Sequence, residues 1–229
     1  MVSWVTLFHM ANLPKFNNPK YQRLAFIHRS FLNEARNETE SNERLEFLGD
    51  SIISFVISDY LYKTYPTFDE GMLTNLRSLV VNTKSLAKVG KSLDFGEKLL
   101  LSRGEEESGG RKNDSLLANT FEAFTGALFV DQGIIPVTKF LNDVLIPVIS
   151  EHVEKKVFKD PKSLLQEKVQ AKKQNSPLYK VLSEIGPAHA KIFTIGVYIE
   201  NELLGEGSGK SKQQAEEIAA GAALAHLEK

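Results

Sequence analysis

The chain has 229 residues, of which 42% are hydrophobic and 25% are charged, and its formal net charge is −1. This composition is typical of a globular protein with one large domain or two smaller ones. With so little net charge, any nucleic-acid surface must come from local clusters of basic residues. The chain has no cysteine, which excludes disulfides and thiolate metal sites and is compatible with the cytoplasmic location that we expect. It has no run of about 18 uncharged apolar residues, so we expect no membrane span.

Helical periodicity runs from about residue 20 to residue 153 and predicts an all-helical first domain. Leu24, Ile27 and Phe31 recur at spacings of three and four, and the same pattern fills residues 73–93, with Thr83 as a polar interruption. Pro66 and the Gly/Pro cluster at residues 133–136 are expected to end helices. The mixed-charge stretch RGEEESGGRKND is expected to be a solvated loop.

The helical spacing of apolar residues ends after residue 153. Asp160 followed by Pro161 is typical of a helix start, with Asp160 as the N-cap. Three stretches of alternating apolar residues, LYKVLSEIG, AKIFTIGVYIE and NELLGEGSG, then predict strands, and an Ala-rich stretch predicts a final helix. We therefore expect a helical domain over residues 1–153, a linker over 154–159 and an α-β-β-β-α module over 160–229.

Three acids precede a nearly uncharged stretch of the first domain. Glu43, Glu46 and Asp50 have the i, i+3, i+7 spacing of one helix stripe, and few Lys or Arg residues lie nearby in sequence. Buried carboxylates without partners are costly, so cations of the protein or a bound metal must neutralise them. We expect Asp50 in particular to be shielded from solvent, because residues 51–58 carry no charge.

A second predicted helix offers Asn119 and Glu122, spaced i, i+3. Oxygen ligands without a Cys or His cluster suit a hard divalent cation such as magnesium, whose usual work with such ligands is phosphoryl transfer. Acids at a helix start also favour the helix dipole, so the spacing alone leaves that commoner explanation open. Helical spacing predicts that four phenylalanines lie in the core rather than stack on RNA: Phe47, Phe55, Phe121 and Phe124.

The second module has features that suit RNA, although its acidic and basic residues balance. Gln166 and Glu167 lie midway along its first predicted helix, and His189 lies in the loop GPAHAKIF. Lys210 and Lys212 lie in a glycine turn that leads into a helix N-terminus, where backbone amides and the dipole attract phosphate. A protein–protein module with ordinary surface lysines is the alternative at this point.

The stretch NERLEFLGDSIISFVISDYLY closely resembles the signature of the ribonuclease III family. LAFIHRSFLNE, DEGMLTNLRSLVVNTKSLA and SGGRKNDSLLANTFEAFTGALFVDQG resemble its neighbouring blocks in order, while DPKSLLQEKVQ and GEGSGKSKQQAEEIAAGAAL resemble a double-stranded RNA-binding domain. The resemblance implies an all-α endonuclease domain followed by an α+β (α-β-β-β-α) RNA-binding domain. It also implies a homodimer, formed through the N-terminal domain, that cuts double-stranded RNA with magnesium, or with manganese as a substitute. The ends left would be 5′-phosphate and 3′-hydroxyl, in processing of structured precursors such as ribosomal RNA.

The resemblance assigns the catalytic residues by position. It implies four metal ligands and two further acids of the catalytic valley, which are Glu46, Asp50, Asn119 and Glu122, and Glu43 and Glu70. The family usually has Asp where this chain has Asn119; an amide oxygen can still ligate magnesium but brings no charge, so we expect weaker metal affinity. A catalytically weak or inactive double-stranded RNA-binding protein is therefore the alternative. His28 and Arg29, in the HRS of the first block, are expected to pair locally.

The resemblance also assigns RNA contacts in the second module. Gln166 and Glu167 would face one minor groove and His189 the next, because such domains read the shape and 2′-hydroxyls of A-form RNA. Lys210 and Lys212 would straddle the phosphates of the intervening major groove. Gln213 stands where the family often has a second lysine, so we expect a flatter salt dependence of RNA binding.

Overall fold

The structure is a computed structural model that describes residues 13–35, 37–154, 161–187 and 191–227. The chain divides into two compact units, Met1–Phe158 and Lys159–Lys229. Asp160, which we expect to be an N-cap, and His189 lie outside the described residues, as does the predicted linker apart from Glu154. The domain boundaries drawn from the sequence therefore stay a prediction.

The first unit is helical, as predicted. Two 3-10 helices cover Arg29–Asn33 and Gly110–Lys112. The α-helices are α1 (Pro19–Ala25), α2 (Glu43–Thr64), α3 (Glu70–Val81), α4 (Thr83–Ser92), α5 (Phe95–Lys98), α6 (Arg103–Glu107), α7 (Asp114–Gln132) and α8 (Ile134–Glu154). Within the described ranges, no helix is both long enough and apolar enough to cross a membrane.

The helix boundaries follow from local capping. The Asn113 side chain accepts hydrogen bonds from the backbone amides of Ser115 and Leu116 and so starts α7, which ends at Gly133 with a φ of 79°. Residues 73–93 form two helices rather than the unbroken one that the periodicity suggests. Asn82 causes the break, because its amide donates to the carbonyls of Ser78 and Leu79 while its oxygen accepts from the Ser85 amide.

The stretch RGEEESGGRKND is mostly exposed to solvent, as expected, but it is folded, so the expectation of a loop is wrong. It forms α6 and the second 3-10 helix. The Arg111 guanidinium donates to the carbonyls of Gly96 and Leu99, each at 2.9 Å, and pairs with Glu106 at 2.6 Å. These contacts tie the stretch to the end of α5, and the charged composition of the segment gives no sign of them.

The core of the first unit surrounds α7. Phe121 and Phe124 are fully buried, as predicted, and Phe124 makes an edge contact with Phe16 at 5.3 Å between ring centroids. The prediction is wrong for Phe47 and Phe55, which are 79% and 64% exposed. Helix α2 carries apolar residues on two faces, and only one of them packs into the core.

Two glycines let α2 and α7 cross with their backbones in contact. A Cβ atom added at Gly49 would overlap the backbone carbonyl of Glu122, and one added at Gly126 would overlap that of Leu45. No residue with a side chain fits at either crossing point without a shift of the helices. This close approach brings the start of α2 against the middle of α7.

The second unit has the predicted α-β-β-β-α order. Its elements are α9 (Pro161–Ala171), β1 (Leu178–Ile185), β2 (Ile192–Ile199), β3 (Glu202–Gly209) and α10 (Lys212–His226). The strands form an antiparallel sheet in the order β1-β2-β3. Leu165 and Val169 of α9, Val197 and Ile199 of β2 and the alanines of α10 form its buried core. The small alanines let α10 lie close to the glycines of β3.

Candidate functional site

Acidic side chains from α2 and α7 meet beside the helix crossing. Burial, followed by the charges of Asp50 and Glu46, raises the pKa of the Glu122 carboxyl to about 7. A carboxyl with such a pKa is poorly solvated and faces other negative charges. The structure therefore brings Glu46, Asp50 and Glu122 into one acidic cluster.

Asn119 joins this cluster through Glu46. Burial raises the pKa of the Glu46 carboxyl most, and the charges of Glu43 and Asp50 also raise it. A hydrogen bond from the Asn119 side chain acts in the opposite direction, because the amide stabilises the charged carboxylate. Asn119 thus lies beside Glu46 in the cluster.

Among the described residues, no lysine or arginine forms an ion pair with Glu46, Asp50 or Glu122. An ion pair lies at the edge of the cluster, where Arg29 is 3.5 Å from Glu43. The Ser41 hydroxyl also donates a hydrogen bond to Glu43 at 3.0 Å. The cluster therefore has excess negative charge, which favours a cation from outside the protein.

A cavity of about 420 Å³ opens beside the cluster. Its lining residues are His28, Arg29, Asn42, Glu43, Glu46, Leu116, Asn119 and Thr120. Burial lowers the pKa of the His28 imidazole, so its neutral form is favoured. The Nδ1 atom of His28 lies 2.8 Å from the Ser30 hydroxyl, and Arg29 pairs with Glu43, so both residues pair locally as expected.

Two of the predicted site residues, Asp50 and Glu70, have surroundings that the sequence does not reveal. Asp50 is exposed, so the expectation that it is shielded from solvent is wrong: residues 51–58 lack charge, but Asp50 lies on the open face of α2. Glu70 begins α3, where the Thr74 hydroxyl donates to it at 3.2 Å, and it is not among the charges that perturb Glu46 or Glu122. In the described part of the chain, no three acidic or histidine side chains are already gathered closely enough to hold an ion.

The predicted RNA-contacting residues of the second unit that the structure describes are exposed. Gln166 and Glu167 lie on the surface of α9, while Lys210 and Lys212 lie just before and at the start of α10. The Ser211 side chain caps α10 by accepting from the Gln214 amide at 3.1 Å. No described contact tests whether these side chains bind RNA, which stays a prediction.

Sequence reasoning missed the two glycines that set the crossing of α2 and α7. A glycine inside each helical pattern was the only available signal, because an interior glycine weakens a helix unless close packing requires it. It also missed Glu184 of β1, whose carboxylate contacts Lys212 at 3.2 Å. No local pattern reports that contact, since the two residues lie far apart in the chain.

Comparison with known proteins gives matches to both units. Residues 18–149 match the family model described as Ribonuclease-III-like, and residues 161–227 match Double-stranded RNA binding motif. Ribonuclease 3 of Bacillus licheniformis is 47% identical over 216 residues, which cover 94% of this chain and 86% of that protein. Ribonuclease 3 of Lactococcus lactis subsp. cremoris is 48% identical over 206 residues, covering 90% and 89%.

Two solved structures extend the comparison. The nuclease domain of ribonuclease III from Campylobacter jejuni, which has a region involved in dimer formation, is 34% identical with a TM-score of 0.53, over 58% of this chain and 92% of that one. Dicer from Pichia stipitis is 26% identical with a TM-score of 0.50, over 94% of this chain and 97% of that one.

These matches define a two-part chain, a helical nuclease-type domain joined to a double-stranded RNA binding motif. The chain belongs to the ribonuclease III family. The resemblance found in the sequence and the predicted fold class are both confirmed. The predicted enzyme class, a ribonuclease III-type endoribonuclease, is confirmed as well.

Proposed function

We propose that the protein is a magnesium-dependent endoribonuclease that cuts double-stranded RNA, leaving 5′-phosphate and 3′-hydroxyl ends. Its main support is Glu122, a half-buried carboxyl beside Glu46 and Asp50 with a pKa of about 7 and no cationic partner among the described residues. Its work would be processing of structured RNA precursors, ribosomal RNA among them. A cytoplasmic location belongs to the same proposal and accords with the lack of cysteine.

The residues of the cluster suit a hard divalent cation. Glu46, Asp50 and Glu122 would offer carboxylate oxygens and Asn119 an amide oxygen, a donor set that magnesium prefers and manganese tolerates. Burial raises the pKa of Glu122 most, and a bound cation would remove the repulsion from Asp50 and Glu46 that adds to this effect. The chemistry that a bound divalent cation supplies is polarisation of the phosphodiester and activation of water.

The side chains around the cluster would have separate tasks. Asn119 would help to orient the Glu46 carboxylate through the hydrogen bond that lowers the pKa of Glu46. Glu43 and Arg29 form a loose ion pair in the cavity wall, where the RNA backbone would enter. Glu70, in the first turn of α3, would be a further acid of the catalytic valley.

Double-stranded RNA would bind to the second unit. The N-terminus of α10, where the helix dipole is positive, lies beside Lys210 and Lys212, a combination that attracts phosphates. Gln166 and Glu167 on α9 would contact one minor groove, and His189 would contact the next. Support for this assignment is the exposure of the four described residues and the match to the binding motif.

We also propose that the first unit forms the homodimer. Its support is the exposed stripe of Phe47, Phe55 and Tyr62 on one face of α2, since large apolar side chains in a row mark an association surface.

Phe47→Asp is expected to weaken dimerisation at least about thirtyfold, because it places a charge in a desolvated contact. Analytical ultracentrifugation across a concentration series measures this. Ile135→Asp, at another exposed apolar position, is the control.

Asn119→Asp tests the departure from the family pattern. A fourth carboxylate increases the attraction for a cation, so we expect the magnesium concentration for half-maximal cleavage to fall about tenfold. The cleavage rate at limiting magnesium should rise with it. Asn113→Asp makes the same change at the N-cap of the same helix, where Asp also caps well, and should leave both unchanged. Equal rates for wild type and Asn119→Asp would show that position 119 does not limit catalysis.

The direct test of function is incubation with long double-stranded RNA, with magnesium, with manganese and with a chelator. We expect metal-dependent cleavage, no cleavage of single-stranded RNA, and fragments that a 5′-phosphate-dependent exonuclease degrades. Tight binding of the duplex without cleavage in either metal would overturn the enzyme proposal. That result would favour an inactive RNA-binding protein, the alternative that Asn119 supports.

A further inference from the structure

Glu184 of β1 bridges two lysines on the RNA-binding unit. Its Oε1 atom lies 3.2 Å from Lys212 Nζ at the start of α10, and its Oε2 atom lies 3.1 Å from Lys191 Nζ just before β2. The Lys212 ammonium also lies 5.6 Å from the centre of the Phe193 ring. One carboxylate thus holds two cations at the corner where β1, β2 and α10 meet.

Stability of the fold does not explain this bridge. Glu184 is exposed, and surface ion pairs contribute little to folding because water screens them and their long side chains lose freedom. The core of the unit lies elsewhere, among Leu165, Val169 and the alanines of α10. Lys191 and Lys212 hold the pKa of Glu184 below its usual value, so the carboxylate stays charged at neutral pH.

We propose that Glu184 competes with RNA phosphates for Lys212 and Lys191 and thereby limits the affinity of the enzyme for duplex RNA. This inference rests on the proposed function, in which Lys212 contacts a phosphate. A carboxylate and a phosphate are both anionic oxygen acceptors, so they compete for the same ammonium protons. With Glu184 in place the three side chains carry one net positive charge, and without it they carry two.

A limit on affinity serves an enzyme that must release its products. Cut duplexes keep the shape and phosphates of the substrate, so a domain that reads these features retains them as well. Glu184 provides an acceptor within the protein that replaces the departing phosphate at each lysine. We therefore expect its removal to slow product release and to leave the chemical step unchanged.

Glu184→Gln tests the proposal in the full-length protein, with duplex RNA binding measured in a chelator so that no cleavage occurs. We expect affinity three- to tenfold higher at low salt, a slope of log affinity against log salt steeper by about one, and convergence with wild type at high salt. Glu206→Gln is the matched control. It removes the same charge from β3, at a residue that alternates with the glycines facing α10 and so lies on the other side of the sheet.

Two further measurements test whether the gain in affinity involves Lys212 and whether it slows product release. In Lys212→Gln, the added Glu184→Gln change should gain much less affinity, because one competed cation is gone. Under single turnover Glu184→Gln should cleave at the wild-type rate, and under multiple turnover it should cleave more slowly. If Glu184→Gln binds no more tightly than Glu206→Gln, or more weakly than wild type, the competition is refuted while the proposed function stands. If wild type does not bind duplex RNA at all, both fall.

Discussion

Glu122→Gln is expected to reduce cleavage of double-stranded RNA at least about a hundredfold, or about 2.7 kcal/mol of transition-state stabilisation, while RNA binding is retained. Glutamine has the size of glutamate but removes the charge that the cluster of Glu46, Asp50 and Glu122 needs for a cation. Single-turnover cleavage in magnesium measures the loss, and a binding assay in a chelator measures what is retained. Glu97→Gln, at an exposed acid outside the cluster, is the control and should cleave normally.

The same variant gives a second readout, which separates electrostatics from folding. In the folded protein Glu122 has a pKa of about 7, above the ordinary value of 4.5, so between these values the folded state binds more protons than the unfolded state. The metal-free wild type must therefore lose stability as pH rises from about 4.5 through about 7. Glu122→Gln should lack this part of the slope and be the more stable protein at pH 8, as urea unfolding measures.

In the wild type, magnesium should counteract the loss of stability that occurs as pH rises. A cation binds the ionised carboxylate, so binding below pH 7 must displace a proton from Glu122 and becomes weaker as pH falls. Calorimetry in two buffers of different ionisation enthalpy detects that proton. A Glu122→Gln protein with wild-type cleavage, or with the wild-type slope of stability against pH, would remove Glu122 from the site.

The helices and strands of this protein could be predicted because the spacing of their apolar residues is visible within one short stretch of sequence. Apolar spacings of three and four placed the helices, alternation placed the strands of the second unit, and Gly133 marked a true helix end. The split between α3 and α4 was missed because Asn82 breaks the helix with its side chain while the apolar spacing continues across it. Periodicity reports which residues share a face and does not report where the backbone turns.

The errors on α2 have a different cause. Helical spacing led to the prediction that Phe47 and Phe55 lie in the core, but it could not say which apolar face of α2 packs there. Burial of a face depends on which element packs against it, and that element lies far away in sequence. Asp50 shows the same limit, since it joins the cluster from the exposed side of the helix.

The acidic cluster itself was only half visible in the sequence. The spacing of Glu46 and Asp50 defines a stripe on one helix, and that of Asn119 and Glu122 defines another. Their meeting depends on the angle and depth at which α2 crosses α7. Gly49 and Gly126 set that depth, and they are recognisable only once the backbone contacts are known.

Gly49→Ala should therefore damage both the fold and the site. The added methyl group would overlap the Glu122 carbonyl, which belongs to the backbone and cannot move aside as a flexible side chain would. We expect a loss of at least about 3 kcal/mol in the free energy of unfolding, at the upper end of the usual cost of overpacking. Chemical denaturation of the purified protein measures this change. The surviving folded protein should cleave slowly, because α2 and α7 must separate and draw Glu46 away from Glu122.

Gly221→Ala is the matched control, since it is the same substitution inside α10, where the added carbon would contact no described atom beyond its chain neighbours and the backbone of its own helix. There alanine should stabilise the protein by about 0.5–1 kcal/mol, because it favours the helix over the unfolded chain. Opposite signs for the two variants would show that contact between the helices, rather than helix propensity, governs position 49. A Gly49→Ala protein as stable and as active as wild type would mean that the α2–α7 crossing does not fix the geometry of the acidic cluster.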